Sequence, residues 1–135
     1  MASGAGSVCE IDIAYMKNVE APMKYFILLV DVFNAYCWAR AIPDRSKSSY
    51  EPALADILDK SGGFEICVAD QEFKHSEEFF KDRETILRLK PQGDHCYFAE
   101  SKIGTIKRRL FLAIRGRQKF DWTPYLQNIV KGINR

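Results

Sequence analysis

Lys24-Tyr25-Phe26-Ile27-Leu28-Leu29-Val30-Asp31-Val32-Phe33-Asn34-Ala35-Tyr36-Cys37-Trp38-Ala39-Arg40-Ala41-Ile42 decides the fold class. Its first half is an almost unbroken apolar run, the pattern of a strand covered on both faces. Lys24 to Phe33 therefore predicts one strand and Tyr36 to Ile42 another, joined at Asn34-Ala35. Val8 to Met16 predicts a strand before them. The short connections make the three an antiparallel meander.

Beyond Ile42 the period changes. Ser46 to Lys60 predicts a helix with Ala53, Ala55, Ile57 and Leu58 inward. Pro52 fits there if it lies in the first turn, with Ser48 or Ser49 as the cap. Gly62-Gly63 ends that helix. Phe64 to Ala69 predicts a fourth strand, Ser76 to about Lys81 a short helix with acidic first-turn residues, and Thr85 to Leu89 a fifth strand. From Phe98 to about Arg115, Ala99, Ile103, Ile106, Leu110 and Ala113 recur at steps of four and three, one apolar helical stripe. Asp121 caps a last helix with Pro124 in its first turn and Leu126, Ile129, Val130 and Ile133 inward. The expected architecture is α/β: a five-stranded mixed sheet, a three-strand antiparallel meander plus two parallel strands, flanked by helices. Residues 1–7 are expected to be a flexible N-terminus and 8–135 one domain.

Composition bounds function only loosely. The 135 residues are 47% hydrophobic, enough for a real core, and the net charge of +2 does not by itself announce a nucleic-acid partner. No signal peptide or membrane-spanning run is visible. Cys9, Cys37, Cys67 and Cys96 have no C-x-x-C spacing, so no zinc site is supported. The first three read as buried thiols in a reduced, intracellular protein, and Cys96 as a loop residue open to solvent.

Three acids carry the chemical signal. Asp12 interrupts a strand otherwise built for burial, sharing a face with Glu10 and Ala14 unless that face is simply solvated. Asp70 follows an apolar strand, where α/β sheets open ligand crevices, although a turn aspartate has the same local pattern. Glu100 opens the long helix, where the dipole favours an acid without any function. At 100° per residue Glu100 and Lys107 lie about 20° apart on one face, with Gly104 between them. Three carboxylates from a strand, a strand end and a helix start can hold hard divalent cations; two such ions clamp the oxygens of a phosphoryl displacement.

Taken together, the segments resemble the catalytic core of retroviral and long-terminal-repeat retrotransposon integrases, over nearly the whole chain. Glu10 to Met16 resembles the strand with the first catalytic aspartate, and Lys24 to Ala39 the hairpin that follows. Ala69-Asp70-Gln71-Glu72-Phe73 resembles the segment with the second aspartate. Ala99 to Leu110 resembles the helix with the catalytic glutamate, and Trp122 to Val130, ending at Asn134, the closing helix. The resemblance implies a ribonuclease-H-like fold. It implies Asp12, Asp70 and Glu100 as catalytic metal ligands for two Mg²⁺ (or Mn²⁺) ions, trimming of DNA ends followed by strand transfer, and a nuclear setting. It also implies that Lys107 contacts DNA. Partners would be DNA and further copies of the chain, a dimer or higher oligomer, with no membrane.

The basic run strengthens the DNA expectation. Lys102, Lys107, Arg108, Arg109, Arg115, Arg117 and Lys119 occur between Ser101 and Phe120 without an acid. That asymmetry suits phosphate contacts, as it also suits a solvated helix face. Lys102, Lys107, Arg108 and Arg109 are the candidate DNA-binding residues. His75 and His95 read as loop residues, Asp31 as structural, Tyr36 and Trp38 as packing residues, and Pro91 to Tyr97 as a mobile loop over the site.

The sequence departs from the family pattern in two places. The glycine between the second aspartate and the following glutamate is missing, and positions 71 to 99 make a shorter spacer than the retroviral one. The family's zinc-binding N-terminal domain and β-barrel C-terminal domain have no counterpart, so a core fragment, a processed piece of a polyprotein or a co-opted gene is expected. Two alternatives to an integrase-type transferase stay open: a non-catalytic DNA- or protein-binding module, and a hydrolytic nuclease of the same fold.

Overall fold

Alternating apolar side chains make the central strands two-faced. In a computed structural model, which describes residues 6–17, 19–115 and 121–135, Phe26, Leu28 and Val30 face one core, and Ile27 and Leu29 the other. They belong to β2 (Tyr25–Asp31), which pairs antiparallel with β1 (Val8–Tyr15) and with β3 (Cys37–Ile42). Two parallel strands, β4 (Ile66–Ala69) and β5 (Ile86–Leu89), extend the sheet beyond β1, giving the order β3-β2-β1-β4-β5. The expected mixed five-stranded sheet is the one observed.

One face is covered by α1 (Lys47–Ser61), a 3₁₀ turn over Gln71–Ser76 and α2 (Glu77–Lys81), through Tyr50, Leu54, Ile57, Phe73 and Phe80. The other is covered by α3 (Tyr97–Ala113) and α4 (Thr123–Ile133), through Ile103, Ile106, Leu110, Trp122, Leu126 and Val130. Asn134 closes this layer. Its amide accepts from the Cys37 N–H at 2.9 Å and donates to the Cys37 carbonyl at 2.8 Å, so the chain end is bonded to β3. No described helix is long and apolar enough to cross a membrane.

Several local expectations need correction. Pro52 lies in the second turn of α1, not the first. Pro52 and Ser48, whose carbonyl it cannot bond, are both exposed. The N-cap is Ser46, not Ser48 or Ser49; its hydroxyl bonds those two hydroxyls instead of capping the backbone. Leu54 is buried in α1 while Ala53 and Ala55 are only half-buried. In α3 the stripe holds to Leu110, after which Ala113 is exposed and Ile114 buried, because the helix ends there. Cys96 is buried, not open: it precedes α3 and its thiol lies 3.8 Å from the Val68 carbonyl. Of residues 1–7, residues 1–5 lie outside the described residues. Gly6 donates to the Asp31 carboxylate at 3.0 Å, and the Ser7 carbonyl accepts from the Glu65 and Ile66 N–H groups.

Candidate metal centre

Strand register brings two of the three predicted acids together. β1 and β4 pair Val8 with Ile66, Cys9 with Cys67 and Glu10 with Val68. Continued two residues further, the same register sets Asp12 level with Asp70, where β4 has ended and the strands part. Asp70 thus stands just past the carboxyl end of β4, the place where α/β folds bind ligands, beside mid-strand Asp12.

Asp70 accepts the Glu72 N–H at 3.0 Å, an N-terminal cap that starts the 3₁₀ turn. The tight turn throws the Glu72 side chain back toward the strand end. Carboxylate oxygens of Asp12, Asp70 and Glu72 all lie within 4.8 Å of one another. Burial first, then the charges of Asp70 and Glu72, push the Asp12 carboxyl up to about 6, against an opposing hydrogen bond from the Ile13 N–H. Hard oxygen donors packed this closely, with one of them raised by its neighbours, are what a divalent cation relieves.

Glu100 is not in this cluster. It stands in the first turn of α3, as expected, but its carboxylate lies 3.5 Å from His95 Nδ1 and is well exposed. The acid that reaches α3 from the sheet is Glu10, which is 5% exposed and accepts the Ala99 N–H at 3.1 Å. Cys96 sits beside the same acids: burial, then Glu10, Asp12 and Asp70, push its thiol up to about 12, so it stays protonated.

Two cations border the cluster. Arg45, in the connection between β3 and α1, sets Nε 3.2 Å from Glu72 Oε2 and Nη2 3.5 Å from Glu72 Oε1. Nη2 also donates to the Ile13 carbonyl at 3.2 Å, and the guanidinium lies 5.5 Å from the centre of the Tyr25 ring. Lys107 approaches from α3; burial and nearby Arg45 lower its ammonium pKa, with Asp12 opposing.

The other candidate DNA-binding residues are spread around α3, with Arg108 reaching over Gly104. Lys102 is half-buried and lies within electrostatic reach of Cys37, Arg109 leans toward Gly132 of α4, and exposed Arg108 folds back on Thr105 at 3.4 Å. Arg115 is exposed at the end of α3, whereas Arg117 and Lys119 lie outside the described residues.

Residues Pro91 to His95 form the far wall of a groove whose near wall is Arg45, Asp70 and Glu72. Its base is held by Gln71, which donates to the Lys90 carbonyl at 2.7 Å, and by Lys90, which donates to the His95 carbonyl at 2.8 Å.

Sequence reasoning missed Glu72, Arg45 and Glu10. Glu72 lay inside the segment that flagged Asp70, but its convergence depends on the 3₁₀ turn. Glu10 shares the strand face of Asp12, which was the available signal. Nothing local marks Arg45.

No protein-family model matches the chain, and no curated protein matches it significantly. Solved structures do. The catalytic core domain of HTLV-2 integrase, in its dimeric form with magnesium, superposes with a TM-score of 0.83 at 12% identity, covering 100% of this chain and 90% of that one. The simian T-cell lymphotropic virus intasome, in complex with PP2A regulatory subunit B56 gamma, gives 0.84 at 16% identity. That match covers 98% of this chain and 49% of the other, so the chain spans about half its length. The fold is the ribonuclease-H-like fold of retroviral integrase catalytic cores.

Proposed function

We propose that this chain, folded as an integrase catalytic core, is a metal-dependent polynucleotidyl transferase acting on DNA. The observation that carries the reading is the meeting of Asp12, midway along β1, with Asp70 and Glu72 just past the end of β4. Those three carboxylates would hold one Mg²⁺ or Mn²⁺ ion. When bound, the ion supplies Lewis-acid stabilisation of charge developing on phosphate oxygens. A second ion would need Glu100 to leave His95 and turn toward Asp12.

The protein's own groups would do the rest. Lys107 supplies a positive charge to a DNA phosphate beside Asp12, and the Pro91–His95 wall confines the strand. A water oxygen bonds to phosphorus as the bond to the departing strand breaks, leaving a 3′-hydroxyl. That hydroxyl then attacks a target phosphodiester in the same way, with one phosphorus–oxygen bond formed and one broken. Two copies acting on two DNA ends in a nucleus belong to the same proposal.

The position of Glu100 favours a second reading, a DNA-binding module without catalysis. Calorimetric Mn²⁺ titration separates the two. The transferase reading expects binding that Asp70→Asn abolishes, and joining activity on branched DNA that disappears in the same variant. Equal Mn²⁺ binding by wild type and Asp70→Asn would remove the catalytic reading. Cleavage of linear DNA without any joining would indicate a hydrolytic nuclease.

A further inference from the structure

Glu72 serves two claimants. Its carboxylate belongs to the Asp12–Asp70 cluster, and both its oxygens also face Arg45. The backbone of Glu72 is fixed by Asp70, so only its side chain is free to choose between them.

Arg45 has anchors that do not depend on Glu72. Nη2 is held by the Ile13 carbonyl, one residue beyond Asp12, and the guanidinium packs against Tyr25. It can lose Glu72 and stay in place. The pair is also partly exposed, with side-chain accessibilities of 45% for Arg45 and 27% for Glu72, so its exchange carries only a small penalty. Lys107 lies within electrostatic reach of Arg45 and Asp12, so a second positive charge adds to the repulsion an arriving divalent ion meets. Like charges raise the cost of admitting one.

We propose that Arg45 is a latch on the metal centre: its guanidinium holds Glu72 until a divalent cation takes that carboxylate. Arg45 is a positioning residue, since it acts through Glu72. The inference rests on the metal-site reading above, and deepens it by assigning a residue that sets how tightly the site holds its ion. A residue that merely shaped the site would weaken metal binding when removed; a competitor strengthens it.

The test is Mn²⁺ affinity, read by the fall in free-Mn²⁺ electron paramagnetic resonance signal, for wild type, Arg45→Gln, Arg45→Lys, Glu72→Gln and the double variant Arg45→Gln/Glu72→Gln. Arg45→Gln should tighten binding roughly two- to fivefold, the worth of a partly exposed ion pair. Arg45→Lys keeps the charge without the fork and should fall between Arg45→Gln and wild type. Most of the gain should vanish in the Glu72→Gln background. Unchanged or weaker binding by Arg45→Gln overturns the latch, as does a gain of equal size with and without Glu72, which would reflect plain repulsion. Loss of all Mn²⁺ binding in every variant, with thermal melts showing folded protein, overturns the metal-site reading and the latch together. Binding by wild type without the Arg45→Gln gain overturns the latch alone.

Discussion

Glu10 accepts a hydrogen bond from the Ala99 N–H at 3.1 Å, so a buried carboxylate on the central strand caps the helix that carries Glu100 and Lys107. The contact spans 89 positions of sequence and sets the start of α3 beside Asp12. Removing it leaves a buried N–H without an acceptor. Glu10→Ala should destabilise the fold by about 1–3 kcal/mol, and Glu10→Gln, which keeps an acceptor, by less. Urea denaturation midpoints measure both; equal stability of Glu10→Ala and wild type would count against the cap.

Asp12 makes stability depend on pH. Its carboxyl is raised in the fold to about 6 from a reference value of 3.8. The folded state thus binds the proton more tightly than the unfolded chain. The resulting stabilisation is fully present below pH 3.8 and is lost as pH rises through about 6. In the metal-free protein this trend should cost on the order of 2 kcal/mol between those limits, and Asp12→Asn should flatten it. Other carboxylates contribute their own slopes, so the difference between variant and wild type is the quantity to follow. Divalent cation affinity should run the opposite way, rising with pH as Asp12 ionises.

Position on α3 separates the basic residues. Lys107 borders Asp12 and Arg45, whereas Arg109 leans on α4. Lys107→Ala should weaken DNA binding and lower the slope of log affinity against log salt by about 0.9. Arg109→Ala should change the slope little. A larger loss for Arg109→Ala than for Lys107→Ala would place the DNA on the α4 side of the helix.

Asn134 reaches the Cys37 backbone with both ends of its amide. Asn134→Ala removes both backbone hydrogen bonds and the one from the Cys37 thiol, and should cost about 1–3 kcal/mol. Asn134→Asp turns an oxygen toward the Cys37 carbonyl and should cost at least as much. Thermal unfolding reads both variants, and Mn²⁺ affinity should stay unchanged in each.

Gly104 has room for a side chain. A Cβ there would meet the end of Arg108 at 3.8 Å, an ordinary contact. Gly104→Ala should stabilise the protein by about 0.5–1 kcal/mol through helix propensity. If the same substitution abolishes DNA binding while stability rises, the open face between Glu100 and Lys107 is where the strand lies.

Periodicity carried most of the fold. The unbroken apolar run of β2 announced burial on both faces, and the stripe from Ala99 to Leu110 announced one buried side of α3, because each element's own geometry determines which residues share a face. Asp12 and Asp70 were legible for a related reason: both mark where strands built for burial admit a charge. Boundaries were less so, as Pro52 shows: it stands one turn deeper in α1 than its preference for a first turn predicts.

Side-chain convergence between distant segments was decided only by the tertiary structure. The offset that sets Asp12 level with Asp70 is a property of two paired strands, and neither strand encodes it alone. Glu72 enters the cluster because a 3₁₀ turn folds it back; Glu100, on the helix face read as functional, lies beside His95 instead. Arg45 comes from a connection with no local signature. A sequence states which groups can be charged and which faces are apolar, but distances of a few ångströms between carboxylates depend on packing across the whole sheet.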